Sequence, residues 1–445
     1  MKKNSRRPEN LNYIDLFAGC GGLSLGLHYA GYEGLFAIEK DQMAFDTLST
    51  NMLGEDSAYP HFDRWPSWLP KTKHDLCELL NNVEYRKHFR SLRGRVMLVC
   101  GGPPCQGFSI GGARRVEDIR NDLPFEFLKF VKLVKPVCVL LENVLGIARP
   151  FSLDGKFGGK SVASLIVEDL QKMGYVANFT QVRALDFGVP QDRRRTITFG
   201  IDASLAGDFD PGQLLSEVLA AISREQLSDL SLPLNRHVTI KEALDDLSGD
   251  DLVPCPDAPK FSSARYLPAK SSYGRLMRCG IRAGTIPDSH RFSKHGERVS
   301  SLYDAIHRHG IKGRVPRDFL LSHNTKTLKK VLLDPEGYSS TITTHPDETI
   351  HYKYSRNISV REMARIQSFP DNWRIRGRYT LNGERRKLDV SRCAQIGNAI
   401  PPLMGRALGL AIREIYEALT TPDSERRLLD KISFRESGQT KRLFP

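Results

Sequence analysis

The apolar run Val96-Met97-Leu98-Val99-Cys100 leads through Gly101-Gly102 into Pro103-Pro104-Cys105-Gln106-Gly107. Proline fixes φ and donates no backbone hydrogen bond, so a strand leaving a buried sheet stops here and presents its next side chain on a stiff loop. Cys105 is therefore a candidate nucleophile, although a lone cysteine in a Gly/Pro turn is more commonly a buried free thiol. Glu142 ends a second apolar run, Val137 to Leu141. In a parallel sheet it falls at the same edge as Cys105, where a carboxyl group beside a buried site can keep a proton at neutral pH and donate it to a ring nitrogen. Read alone, Glu142 caps a strand end. Gln191-Asp192-Arg193-Arg194-Arg195 supplies planar donors suited to phosphate or to a base carbonyl oxygen, or else forms a solvated basic run. Asp15-Leu16-Phe17-Ala18-Gly19-Cys20-Gly21-Gly22 follows the first strand and lets the backbone approach a ligand. Glu39, ending the next strand, can accept hydrogen bonds from both hydroxyls of a ribose, or serve as a charge before the helix from Asp41.

The elements that must position these groups follow from the apolar spacing. Strands are expected over Tyr13 to Phe17, Leu35 to Glu39, Arg95 to Cys100, Val137 to Glu142, Val176 to Val182 and Thr196 to Ile201. Helical spacing lies between them at Leu23 to Ala30, Asp41 to Asn51, Phe125 to Val134 and Ser161 to Met173, so consecutive strands can be crossover-connected and parallel. The fold class is α/β, a doubly wound, mostly parallel sheet with a second, smaller domain. From about Asp202 to Pro335 the chain is richer in turns, histidines and basic residues, with weaker periodicity, which marks the second domain. Ser359-Val360-Arg361-Glu362 is a capping-box start for a helix that Phe369-Pro370-Asp371 ends. Pro401-Pro402 opens a last long helix through Leu419. The charged segment from Thr421-Pro422 onward reads as a loosely held tail.

Composition excludes several classes. The 445 residues suffice for two or three domains at roughly 100 to 200 residues each. No apolar run is long enough to cross a bilayer, and the basic start Met1-Lys2-Lys3 lacks the apolar region of a signal peptide, so a cytoplasmic protein is expected. None of the eight cysteines shows Cys-x-x-Cys spacing or pairs with histidines in a zinc-like pattern, so neither disulfides nor a metal is expected. With 65 Lys and Arg against 52 Asp and Glu, the net charge is +13, enough to attract a polyanion over a broad face.

Taken in order, these motifs resemble those of the C5-cytosine DNA methyltransferases of the bacterial restriction-modification type. Asp15 to Gly22 is similar to that family's S-adenosyl-L-methionine loop, Glu39 to its ribose-binding acid, and Asp75 to the aspartate that holds the adenine amino group. Pro103-Pro104-Cys105-Gln106 resembles the nucleophile motif, Glu142-Asn143-Val144 the acid motif, and Gln191 to Arg195 the Gln-x-Arg-x-Arg motif. Arg361 to Pro370 is similar to the helix flanking the target-recognition region, and Gln395-Ile396-Gly397-Asn398-Ala399-Ile400-Pro401-Pro402 to the closing cofactor motif. Mainly residues 202 to 335 stay unmatched, where the family varies to choose its DNA sequence. The stretch between Asn51 and Lys73 is longer than in the family, and the Asp75 match rests on few residues.

The resemblance implies S-adenosyl-L-methionine bound by Phe17, Gly19, Gly21, Gly22, Glu39, Asp75, Pro104 and Asn398, with Cys105, Glu142, Arg193 and Arg195 as catalytic residues. The Cys105 thiolate would add to C6 of a cytosine flipped out of double-stranded DNA, Glu142 would act at N3, and both arginines would hold O2 and support the thiolate. Residues 1–201 with 380–420 would form the catalytic domain, 202–379 the recognition domain and hinge, and 421–445 a tail. The loop Gly111-Gly112-Ala113-Arg114-Arg115 would close over the DNA. The resemblance further implies a monomer paired with a cognate restriction endonuclease. An RNA cytosine-5 methyltransferase on the same scaffold is the nearest rival, and a catalytically silent DNA-binding regulator is a second. A nicotinamide dehydrogenase fits the sheet pattern but not Gly19-Cys20-Gly21-Gly22, which lacks the third glycine spacing.

Overall fold

A computed structural model describes residues 10–54, 56–104, 123–151, 159–206, 209–325, 329–380 and 389–433. Six strands form the main sheet: β1 (Asn12–Leu16), β2 (Glu33–Ile38), β3 (Leu98–Gly101), β4 (Cys138–Val144), β5 (Tyr175–Arg183) and, after the short β6 (Gln191–Asp192), β7 (Arg194–Asp202). Their order is β2-β1-β3-β4-β7-β5. All six stand within a few residues of the runs read from the sequence.

Helices α1 (Gly22–Tyr29), α2 (Gln42–Met52), α3 (Leu76–Asn81), α4 (Val83–Ser91), α5 (Leu123–Val134) and α6 (Val162–Lys172) make the crossovers. They leave β1, β2, β3 and β4 mutually parallel, with β1 and β3 at the centre of that half of the sheet. Strand β7 is antiparallel to both β4 and β5, which corrects the expectation that consecutive strands run parallel. The cause is the connection: residues 184–193 hold only a short 3-10 turn (Ala184–Phe187) and β6, less than the roughly dozen residues of a parallel crossover. The reversal brings the start of β7 to the edge where β4 ends, with Arg195 in register with Val144 and Ile197 with Glu142.

Two stretches of weak apolar periodicity also fold. Helix α7 (Pro211–Asp229) is 19 residues long and lies on β5 and β7 with the helix Pro402–Thr420 beside it. Its buried residues, Leu214, Leu215, Val218, Leu219, Ile222 and Gln226 among them, recur at helical spacing along one face. The charged segment expected to be a loose tail forms the helix Pro422–Ser433, which rests on Pro402–Thr420 and α7, where Lys431 Nζ lies 2.6 Å from both Glu225 and Glu414.

The main apolar core runs from Tyr13 to Leu428 and takes in both ends of the described chain. A separate small core, Leu302, Tyr303, Ile306, Val315, Leu320, Leu332 and Ile350, lies within residues 297–350. The helix Val360–Ile366 belongs to the main core, and its capping box forms as its sequence demands: Ser359 Oγ accepts from Glu362 N and Glu362 Oε2 accepts from Ser359 N. Every residue of this helix is buried, including Arg361, Glu362 and Arg365. Arg365 is paired with Asp246 and Asp371, and Glu362 with Arg356.

Candidate active site at the carboxyl edge of the sheet

Beyond Leu16 the chain takes a left-handed turn at Phe17 (φ 59°), again at Gly19 (φ 56°) and Gly21 (φ 89°), and then enters α1. A Cβ at Gly19 would meet nothing within 4 Å, so this glycine serves the backbone conformation and faces open space. Gly22 is glycine for another reason, since a Cβ there would lie 2.2 Å from the Ile400 carbonyl oxygen. Trp373 and Phe369 pack behind the same turn.

Glu39 ties this turn together. Its Oε2 accepts from Gly19 N and its Oε1 from Asp41 N, both at 2.8 Å. Burial pushes its carboxyl upward against the pull of those amides. A carboxylate offers about four lone-pair positions, so two backbone bonds leave acceptor capacity for hydroxyls. His74 N donates to Glu39 O, which places Asp75 beside it. Asp75 caps α3 through Cys77 N at 2.8 Å, and Lys40 Nζ stands 3.7 Å away. The open glycine turn, the acid with spare acceptors and the neighbouring Asp75 together fit a nucleoside bearing a short charged chain.

Asp15, at the end of β1, lies beneath the turn. Ser24 Oγ donates to its Oδ2 at 2.6 Å, while Oδ1 is buried with no partner. Burial raises its carboxyl to about 7.

At the neighbouring strand ends, Gly102 stands against Glu142: a Cβ there would be 3.1 Å from Glu142 Oε2. Asn143 Nδ2 reaches the Pro103 carbonyl at 3.4 Å, so the acid's own strand buttresses the proline pair. Pro104 is exposed. Cys105 and the Gly111 to Arg115 loop lie outside the described residues.

Arg195 Nε lies 2.8 Å from Glu142 Oε1, with both side chains about one-tenth exposed. The approach is ionic, without the alignment of a hydrogen bond, and Oε1 has no aligned donor. Burial pulls the Arg195 guanidinium down while Glu142 holds it up. Arg193, two residues earlier, turns elsewhere. Its own N–H closes back on Gln191 O at 2.9 Å, a three-residue turn that breaks strand alternation. Its guanidinium, 2% exposed, donates to Gly397 O at 3.1 Å and Asn398 O at 3.4 Å. Burial, with Arg195 nearby, pushes it well below the usual arginine range. Asn398 is exposed at the end of the helix Arg392–Asn398.

The structure thus brings Phe17 to Gly22, Glu39, Asp75, Pro104, Glu142, Arg195 and Asn398 to one edge, and commits Arg193 to a buried carbonyl pair. Trp373 and the amide pair Gln191 Nε2 to Gln367 Oε1, 2.8 Å, were not singled out from the sequence. Gln191 opens the Gln-x-Arg-x-Arg motif, but its partner Gln367 is not legible from it, and nothing local marks Trp373.

A mostly parallel α/β sheet carrying a glycine turn and a strand-end acid at its carboxyl edge suits a nucleoside ligand, and the family and fold matches make the class an S-adenosyl-L-methionine-dependent methyltransferase. The family model for C-5 cytosine-specific DNA methylases matches residues 11–414, and the chain belongs to that family. It is 31% identical over 429 residues to the type II methyltransferase M.DdeI of Desulfomicrobium norvegicum, covering 92% of this chain and 89% of that one. It is 29% identical over 456 residues to the type II methyltransferase M.AgeI of Thalassovita gelatinovora, covering 90% and 98%. Among solved structures, one described as a DNA modification methyltransferase encoded within an E. coli prophage superposes with a TM-score of 0.60 at 25% identity, covering 91% of this chain and 98% of that one. The S. pombe Dnmt2 methyltransferase shares the fold, with a TM-score of 0.51 at 15% identity and coverage of 91% and 99%. The protein is a DNA (cytosine-5-)-methyltransferase, and S-adenosyl-L-methionine is its methyl donor. Among the described residues, no helix is long and apolar enough to cross a membrane.

Proposed function

We propose that the enzyme methylates one cytosine of a specific double-stranded DNA sequence through a covalent Cys105 adduct, and that it is the protective methylase of a restriction-modification pair. The observation that carries the chemistry is the buried pair of Glu142 on β4 and Arg195 on β7, 2.8 Å apart, with Asn143 beside Glu142 reaching the Pro103 carbonyl. The target base leaves its stack at a cost of about a few kcal/mol, which the basic recognition surface offsets. The Cys105 thiolate forms the S–C6 bond, and the displaced electron pair moves onto the ring. Glu142 stabilises that charge at N3, and Arg195 orients Glu142 and faces the O2 side. The donor supplies an electrophilic sulfonium methyl, which C5 accepts. Loss of the C5 proton and expulsion of the thiolate then restore the aromatic ring.

Phe17, Gly19, Gly21 and Gly22 would line the donor's amino-acid side, Glu39 its ribose and Asp75 its adenine, with Pro104 and Asn398 closing the pocket. Residues 1–201 with 380–420 would be the catalytic unit and 202–379 the recognition unit, in which the small core within 297–350 is a self-contained piece that can vary with the DNA sequence chosen. The type II methyltransferase names of curated relatives support pairing with a cognate endonuclease; a cytoplasmic enzyme acting as a monomer completes the reading.

The test is transfer of labelled methyl to unmethylated double-stranded DNA and to total RNA in parallel, by wild type and Cys105→Ala. Label at cytosine C5 of DNA, absent with the variant, is expected. Label on RNA alone, or transfer by the variant at the wild-type rate, overturns the reading.

A further inference from the structure

We propose that Arg193 is a positioning residue: its guanidinium clasps the turn that forms the back wall of the methyl-donor site, and it does not touch the base. The inference deepens the site reading above, on which it rests. The Arg193 fork ends on two successive carbonyls, Gly397 O and Asn398 O. The chain they belong to runs directly into Ile400, whose carbonyl oxygen lies where a Cβ on Gly22 would sit and whose Cδ1 is 3.8 Å from the Cβ position of Gly102. One short segment, 397–400, therefore touches the donor turn on one side and the approach to Pro103-Pro104 on the other. Arg193 anchors that segment to the start of β7, and Arg195, two residues on, anchors Glu142 to the same strand.

A second tie runs parallel to the first. Gln191 Nε2 donates to Gln367 Oε1 at 2.8 Å, and Gln367 Nε2 to Ile396 O at 2.7 Å, one residue before the carbonyls that Arg193 holds. Gln191 Oε1 in turn accepts from Ile342 N at 2.8 Å. The alternating arginines are thus divided: one fixes the wall behind the donor, the other fixes the acid that meets the base. A planar fork is required at the first position because two carbonyl oxygens must be met at once, which a single ammonium cannot do with the same geometry. The buried Arg193 Nε has no partner, so the side chain is held by these two bonds and by packing alone.

The experiment separates donor binding from base chemistry. Binding of S-adenosyl-L-homocysteine is measured by calorimetry without DNA for wild type, Arg193→Lys, Arg193→Ala and Arg195→Ala, with KM for the donor and kcat from methyl transfer and circular dichroism as a check of folding. Both Arg193 variants are expected to weaken donor-analogue binding by about tenfold or more, since a displacement of about 1 Å is enough for such losses, while Arg195→Ala stays within about twofold and loses kcat. Should Arg193→Ala fail to fold, Arg193→Lys decides: folded, with wild-type analogue binding, it overturns the proposal. Wild-type analogue binding by either folded Arg193 variant together with a kcat loss like that of Arg195→Ala assigns Arg193 to the base and overturns it as well. Failure of the covalent reading shows in the Cys105→Ala arm above and leaves the binding result intact.

Discussion

Residue chemistry at the sheet edge is set by burial more than by charge count. Asp15 lies under the donor turn with its carboxyl raised to about 7 from an ordinary 3.8. Between those two values the folded chain keeps a proton that the unfolded chain gives up, so this residue's contribution to stability is fully present below about pH 4 and is lost as pH rises to 7. The loss amounts to at most about 4 kcal/mol across the window, at about 1.4 kcal/mol per unit. Asp15→Asn is expected to flatten that part of the pH dependence, read as the difference between wild-type and variant denaturant midpoints at pH 5 and pH 8. Equal differences at both pH values would show that Asp15 does not titrate there. The strand-end positions of Glu39 and Glu142 were legible from the apolar runs that precede them, while their roles came from the family resemblance. Arg193 was legible as an arginine of the motif but not as a clasp, because what turns it inward is a local backbone closure on Gln191 that no residue type announces.

At the scale of elements, strand and helix positions could be read from apolar spacing, and the capping box at Ser359 and the proline start at Pro402 were legible as local chemistry. Strand direction was not, since an apolar run carries no sign; only the short connection before β7 held the clue. Helix α7 escaped although Leu214, Leu215, Val218, Leu219 and Ile222 stand at helical spacing on one face, because it lies inside a stretch whose turns and charges dominate the pattern. The donor turn is the element most tightly specified. Gly22→Ala would put a methyl group 2.2 Å from the Ile400 oxygen and 3.0 Å from Phe369 Cζ. Overpacking of this kind costs about 1–3 kcal/mol. The variant is therefore expected to lower the melting temperature and raise KM for the donor, with KM for DNA unchanged. A variant with wild-type donor KM would mean that the 397–400 wall yields.

For the whole molecule, the junction between the catalytic sheet and the recognition region is a buried charge network. Arg365 reaches Asp246 at 2.9 Å and also Asp371, with every side chain at most 3% exposed. Arg278 adds a second contact to Asp246 at 3.0 Å. The sequence marks this helix by its capping box but not the partners of Arg365, which lie more than a hundred residues away at Asp246 and beyond the helix end at Asp371, where no periodicity connects them. Removing one member of a buried pair costs about 3–5 kcal/mol because the other charge stays behind. Arg365→Met is expected to show that loss in denaturant unfolding, with the recognition region failing first in proteolysis. A loss under about 1 kcal/mol would place the network in contact with solvent.

The helix Pro402–Thr420 lies against α1 so closely that a Cβ on Gly26 would be 2.6 Å from the Gly405 backbone, and Tyr32 Oη donates to Gly409 O at 3.1 Å. Among the described elements, the earliest helix therefore has as its partner one made more than 370 residues later. Throughout translation its apolar face, Leu23 and Leu27 among it, stays without the surface that finally covers it. Domains that finish early in synthesis fold while the rest is still being made; this sheet cannot, and a chain cut short before Pro402 carries an open seam that quality-control proteases and chaperones are built to find.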